Sequence, residues 1–200
     1  VSKLGTSASG AVGIVMSLMG LIQSLGFMIG MGSGSWMSRL LGEKKDETAS
    51  KVAASGFYFS LVLGLLVAVM GCCFLDPLVG LLGATETIRP YAREYAQYIL
   101  YASPFLIASF TMNKMLCAEG KARFAMIGIA SGGLLNMFLD PIFIFGLKLG
   151  IAGAAIATGL SQIVGFCILL YMFVSGRTIA VLRWKKASRH IGMYDRIIGT

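Results

Sequence analysis

The chain has 200 residues, 56% of them hydrophobic and 13% charged, against a charged share of about 25% in soluble domains. Its mean hydropathy is +0.80, which excludes a soluble globular domain and points to an integral membrane protein. The net charge of +8 would suit a nucleic-acid ligand, but the bases lie in loops and a tail without interleaved aromatics, so no nucleic-acid partner is expected.

Five apolar runs each have roughly the 20 residues that a helix needs to cross hydrocarbon: 11–37, 53–75, 95–117, 124–145 and 151–173. They are continuously apolar, without strand-like alternation, so the fold class is an all-α membrane protein and not a barrel. No charged segment precedes the first run, so no signal peptide is expected, and both ends read as cut from something larger.

In the first span, Gly26 and the run Gly30-Met-Gly32-Ser-Gly34-Ser35 predict close helix packing in preference to a hinge. No strand precedes these glycines, which rules out a dinucleotide loop. Gln23, near mid-membrane, is a candidate for lining a polar cavity or for a bond across helices. The stretch 75–90 is rich in Leu and Val and reads as a short interfacial segment. Thr87 is expected to cap the third span, with Pro90 in its first turn. Tyr91, Tyr95, Tyr98 and Tyr101 are expected as an aromatic belt at the outer interface. Pro104 should kink the span, and Asn113 lies deeper in it.

The fourth span carries Asn136-Met-Phe-Leu-Asp140-Pro141. A carboxamide and a carboxylate stand one turn apart on one face. Pro141 has no N–H, so the carbonyl of Met137 is left free beside them. An acid at hydrocarbon depth next to a helix break is expected to be a binding or proton-handling site. The alternatives are an Asp snorkelling to the interface or one paired with a cation elsewhere. In the fifth span Thr158 lies about 10 Å, and in the fourth Asp140 about 8 Å, below the outer helix ends at 1.5 Å per residue. Gln162 and Asn136 are each about a turn deeper, so two polar layers match in depth, whereas Asn113 falls well below them.

Thirteen of the 17 Lys and Arg follow spans one, three and five; only Lys3, Arg89, Arg93 and Lys148 lie on the other side. The richer side is expected to be cytoplasmic, with the N-terminus outside and the tail inside. Residues 1–175 therefore read as the membrane bundle. Residues 176–200 read as a basic amphipathic tail or a linker. Cys72, Cys73, Cys117 and Cys167 have no C-x-x-C spacing and His190 is alone, so neither builds a metal site.

Five stretches in consistent order resemble the multidrug and toxic compound extrusion (MATE) family of cation-coupled antiporters, closest to its bacterial drug pumps. They are Ser38-Arg-Leu-Leu-Gly42, Leu82-Gly-Ala-Thr85, Ala118-Glu-Gly120, Asn136-Met-Phe-Leu-Asp-Pro-Ile-Phe-Ile144 and Gly150-Ile-Ala-Gly-Ala-Ala-Ile-Ala-Thr158. The resemblance implies two six-helix lobes, of which this chain would supply helices two to six of the N-terminal one. A first helix bearing a further acid and the C-terminal lobe would be missing. It also implies a cation site of Asp140, Asn136 and Thr158, with Asn113 less closely matched, that takes H+ or Na+. No cofactor beyond that ion is expected.

The implied function is export of a drug or organic cation across the cell membrane. Gln23, Gln162 and Met137 are possible cavity-lining residues. A lipid-linked oligosaccharide flippase would carry a more cationic cavity. An intramembrane enzyme lacks any H-E-x-x-H, G-x-S-x-G or second intramembrane acid here. A structural subunit would leave Asp140 unused and predicts a bundle without a central cavity.

Overall fold

A computed structural model describes residues 6–176, 178 and 179 of the chain. The elements are α1 (Thr6–Gly42), α2 (Asp46–Cys73), α3 (Leu75–Leu81), α4 (Arg89–Ala118), α5 (Ala122–Pro141), a π turn (Ile142–Gly146) and α6 (Gly150–Val174). The expected spans 11–37, 95–117 and 151–173 fall inside α1, α4 and α6; 53–75 overruns α2 to the first residue of α3, 124–145 runs from α5 into the π turn, and α3 occupies the first part of the expected interfacial segment. No strand occurs among the described residues.

Four helices are long and apolar enough to cross a membrane by length and composition: α1 from Gly10, α2, α5 with its π turn, and α6. The 30-residue α4 is more polar, and its position explains why. It stands at the centre, packed against α1, α2, α5 and α6. A helix enclosed by other helices need not be apolar on every side.

Small residues bring the backbones together. Gly26 lies against Ile107 and Phe110, Gly30 against Thr111 and Lys114, and Gly34 against Ala118 and Lys114. The numbers rise together, so α1 and α4 run parallel. A Cβ at Gly26 would fall 2.8 Å from the carbonyl oxygen of Ile107. The Thr111 hydroxyl donates to the Gly26 carbonyl at 3.2 Å, so this run is a packing seam, as expected. Against α2 the order is reversed: Gly56 meets Met115, Gly64 meets Pro104, and Gly71 meets Leu100.

Pro104 leaves the Leu100 carbonyl without its N–H partner. The Ser103 hydroxyl lies 2.7 Å from that carbonyl and 3.1 Å from the Gly64 carbonyl on α2. The break is satisfied from within, and α4 continues as one helix from Arg89 to Ala118.

Thr87 does not cap α4. Ile88 holds the cap position without a side-chain bond, and Pro90 sits in the first turn as expected. The Arg89 N–H goes to the Thr85 carbonyl at 2.8 Å, while the Thr87 hydroxyl pairs with that of Thr85 at 3.2 Å. An ion pair between Arg93 and Asp76, 3.4 Å, ties α3 to α4.

At the opposite end the α1–α2 turn carries Glu43 and Lys45, 2.7 Å apart. Hydrogen bonding to Lys45, then its charge, holds the Glu43 carboxyl below the usual glutamate range. In the α4–α5 turn the Glu119 side chain is fully covered. It accepts the Ile179 N–H and lies 3.5 Å from the Lys121 ammonium, pinning the chain as it leaves α6. The expected amphipathic tail lies almost wholly outside the described residues. Cys73, Cys117 and Cys167 are exposed on the bundle and Cys72 is half-buried, all with free thiols.

Candidate functional site

α5 and α6 are joined by the short turn after the π segment, so they run antiparallel. Glycines let them touch: a Cβ at Gly132 would lie 3.1 Å from the Ser161 carbonyl, and one at Gly165 would lie 3.2 Å from that of Gly128. This close seam sets opposite each other the polar residues one turn further towards the π turn.

The Asn136 carboxamide nitrogen donates to Asp140 Oδ1 at 3.2 Å and to Thr158 Oγ1 at 3.3 Å. Thr158 Oγ1 lies 2.9 Å from the Ala154 carbonyl and 3.4 Å from the Tyr95 hydroxyl on α4. Thr158 and Tyr95 are buried; Asn136 and Asp140 are half-buried. Three helices thus contribute to one chain of groups: Tyr95, Thr158, Asn136, Asp140. Asp140 is half-buried and accepts from the amide one turn back.

The α-helix ends at Pro141, and the next five residues form a π turn in which the Leu147 N–H reaches the Ile142 carbonyl at 2.9 Å. Pro141 offers no N–H to the Met137 carbonyl, and the Ile142 N–H goes to Leu139 instead. The Met137 carbonyl therefore lacks the N–H that would ordinarily close its turn. Its side chain, 67% exposed, faces outward and lines no part of the interior cavity described next.

That cavity, about 220 Å³, lies between α1, α4, α5 and α6. Gln23 and Gln162 both line it, as do Ser109 and Phe110. A bundle with an internal polar-edged cavity argues against a purely structural subunit.

The family profile described as MatE matches residues 1–142. The chain belongs to the MatE family. A relative in Staphylococcus haemolyticus, "Multidrug export protein MepA", is 33% identical over 171 residues, covering 85% of this chain and 38% of its own length. The described fold is similar to an inward-facing multidrug resistance MATE family transporter of the MOP superfamily (TM-score 0.92, 32% identity, 100% of this chain and 46% of that one). It is equally similar to a MATE structure in the bent conformation (TM-score 0.93, 31% identity, 99% and 44%). The chain thus spans less than half the length of these relatives. The Staphylococcus relative is named as an export protein and the inward-facing structure as a transporter, which weighs against the intramembrane-enzyme alternative.

Two site expectations change. Asn113 does not join the MatE chain's polar group. Its amide donates to the Ala125 carbonyl at 2.9 Å, and Ala125 is eleven residues before Asn136, or about 16 Å along α5. Asn113 is spent on packing α4 against α5. Conversely Tyr95, expected in an interfacial belt, is buried 3.4 Å from Thr158. Tyr91 and Tyr101, 44% and 54% exposed, do occupy the outside of α4. Among the described residues no cluster of three His, Cys, Asp or Glu could hold a metal, so any ion held here would rely on one carboxylate and neutral oxygens.

Proposed function

We propose that this chain is part of a secondary transporter that exchanges H+ or Na+ for a drug or organic cation across the cell membrane. Asp140 is the group on which the ion acts. The observation that carries this reading is the Asp140–Asn136–Thr158–Tyr95 chain, sunk between three helices at a proline break. An anionic carboxylate at this depth is costly, and a bound proton or sodium ion removes that cost.

With Na+ bound, the Asn136 carboxamide turned by half a rotation offers its oxygen where it now offers nitrogen. Asp140, Thr158 and the Met137 carbonyl complete a set of hard oxygen donors. With H+ bound, Asp140 is neutral and Asn136 keeps its place. Either event changes the charge beside the Pro141 break. Antiport then requires that the conformations on the two sides of the membrane differ in cation affinity; otherwise binding shifts nothing. The lipid bilayer, the first helix and the second lobe complete the machine. The basic end of the bundle, with Arg39, Lys44, Lys45, Lys121 and Arg123, faces the cytoplasm by the positive-inside rule.

The test is Asp140→Asn in the full-length transporter. Drug accumulation should rise to the level of cells without the pump, with insertion and abundance unchanged. Wild-type efflux by that variant would overturn the role of Asp140.

A further inference from the structure

We propose that the groove on the outside of the α4–α6 seam binds one outer-leaflet phospholipid whose headgroup carries an ammonium. The site lies apart from the Asp140 group and does not depend on the cation reading.

Small residues dig the groove. A Cβ at Gly159 on α6 would lie 3.7 Å from that of Ala102 on α4, so the two helices meet through their smallest side chains. Larger neighbours then stand up as walls, Tyr98 and Tyr101 on one side, Leu160 and Ile163 on the other. The hollow between them holds about 290 Å³.

Its inner end is shut. Phe105 and Phe166, each about one turn further along its own helix, meet edge-on at 5.3 Å, and Phe57 of α2 stacks on Phe166 at 6.3 Å. The groove starts at Ala155, five residues into α6, and runs eight residues to Ile163. That is about 12 Å, most of one leaflet of a hydrocarbon core about 30 Å thick. Leu160 and Gln162 point to nearly opposite sides of α6, at about 100° per residue. The groove therefore faces away from the interior cavity that Gln162 lines, and a lipid reaches it from the bilayer without passing the Asp140 group.

The polar groups at its outer end fix the headgroup. Glu94 is one turn above Tyr98 and two above Tyr101, on the same stripe of α4. It is exposed and forms no ion pair among the described residues, whereas its neighbour Arg93 is taken by Asp76. The Gln97 amide donates to the Tyr101 hydroxyl at 2.8 Å, so that oxygen accepts and its own O–H remains free to donate. Going inward, the wall offers a carboxylate, a hydroxyl donor and then an apolar trough. A phospholipid presents the complements in the same order: ammonium, phosphate and ester oxygens, acyl chain. An anionic headgroup would meet Glu94 with like charge.

The experiment uses the full-length transporter in phosphatidylglycerol vesicles containing a trace of phosphatidylethanolamine with a diazirine in its acyl chain. After photolysis, adducts are mapped by mass spectrometry. Leu65 and Val69 on α2, 59% and 55% exposed, report ordinary contact with the bilayer. Adducts on Leu160 and Ile163 should exceed those on Leu65 and Val69 severalfold, although Leu160 is only 41% exposed. The same diazirine chain on phosphatidylglycerol should show no such excess.

Gly159→Leu, which fills the trough, should bring the excess down to the α2 level. Tyr101→Phe, which removes only the hydroxyl, should reduce it about threefold, and Glu94→Gln should abolish the preference for the amine-bearing lipid. Equal labelling of the α2 and α6 faces overturns the site. Labelling of Leu160 below that of α2 means that another part of the full chain covers the groove, and overturns it as well. A preference that survives Glu94→Gln overturns the assignment of the headgroup.

Discussion

The carboxamide of Asn136 stands between Asp140 on its own helix and Thr158 on the next, 3.2 Å from one and 3.3 Å from the other. One side chain therefore links the acid of α5 to the hydroxyl of α6, and any change in the charge of Asp140 is felt across the helix pair.

Thr158→Val keeps the shape of the side chain but removes the hydroxyl that meets both Asn136 and Tyr95. Losing a hydrogen bond in a charged network costs about 1.5 kcal/mol, or roughly tenfold in affinity. Cation-dependent efflux by full-length protein should show its half-maximal cation concentration raised by about that factor, with Thr158→Ser close to wild type.

Gly64→Ala places a Cβ 2.5 Å from Pro104 Cα, so the α2–α4 seam must open. Overpacking costs about 1–3 kcal/mol, more than the roughly 0.5–1 kcal/mol that alanine gains over glycine in a helix. The melting temperature in detergent should fall. Gly20→Ala, where a Cβ meets nothing within 4 Å, should leave it unchanged or raise it.

Glu119→Ala removes the carboxylate that accepts the Ile179 N–H. Limited trypsin digestion of the full chain at the sites after Arg177 and Arg183 should quicken severalfold. Glu119→Gln, which keeps an acceptor oxygen, should cut at nearly the wild-type rate.

Pairing with Lys45 lowers the Glu43 pKa in the folded chain. The pairing therefore stabilises the α1–α2 turn above the ordinary glutamate range and is lost as pH falls through the lowered value. Carboxyl-carbon NMR of selectively labelled protein should place the Glu43 midpoint below that of a free glutamate, and Lys45→Ala should return it.

The helices were legible because hydrocarbon tolerates only long apolar runs, and the depth match of Asp140, Asn136, Thr158 and Gln162 followed from residue rise alone. What depth cannot give is azimuth. Tyr95 sits at interfacial height in sequence, and only the packing of α4 at the centre turns it inward. One signal was present: Tyr95, Ser109 and Asn113 share a stripe with Ala102, at steps of seven, seven and four. Polar groups on one stripe of a membrane helix face protein. Asn113 misled for the opposite reason, since its residue type matched the site although its height did not. Thr87 looked like a cap because cap preference is local, whereas the carbonyl of Thr85 decided where α4 begins.

The π turn after Pro141 stores one residue of slack at the end of α5. Rewinding it to an ordinary helix would rotate everything from Ile142 onward by about 100° while leaving Asn136 and Asp140 where they are. The connection to α6 can thus be re-aimed without moving Asn136 or Asp140, which gives the helix pair a swivel just beyond its polar group.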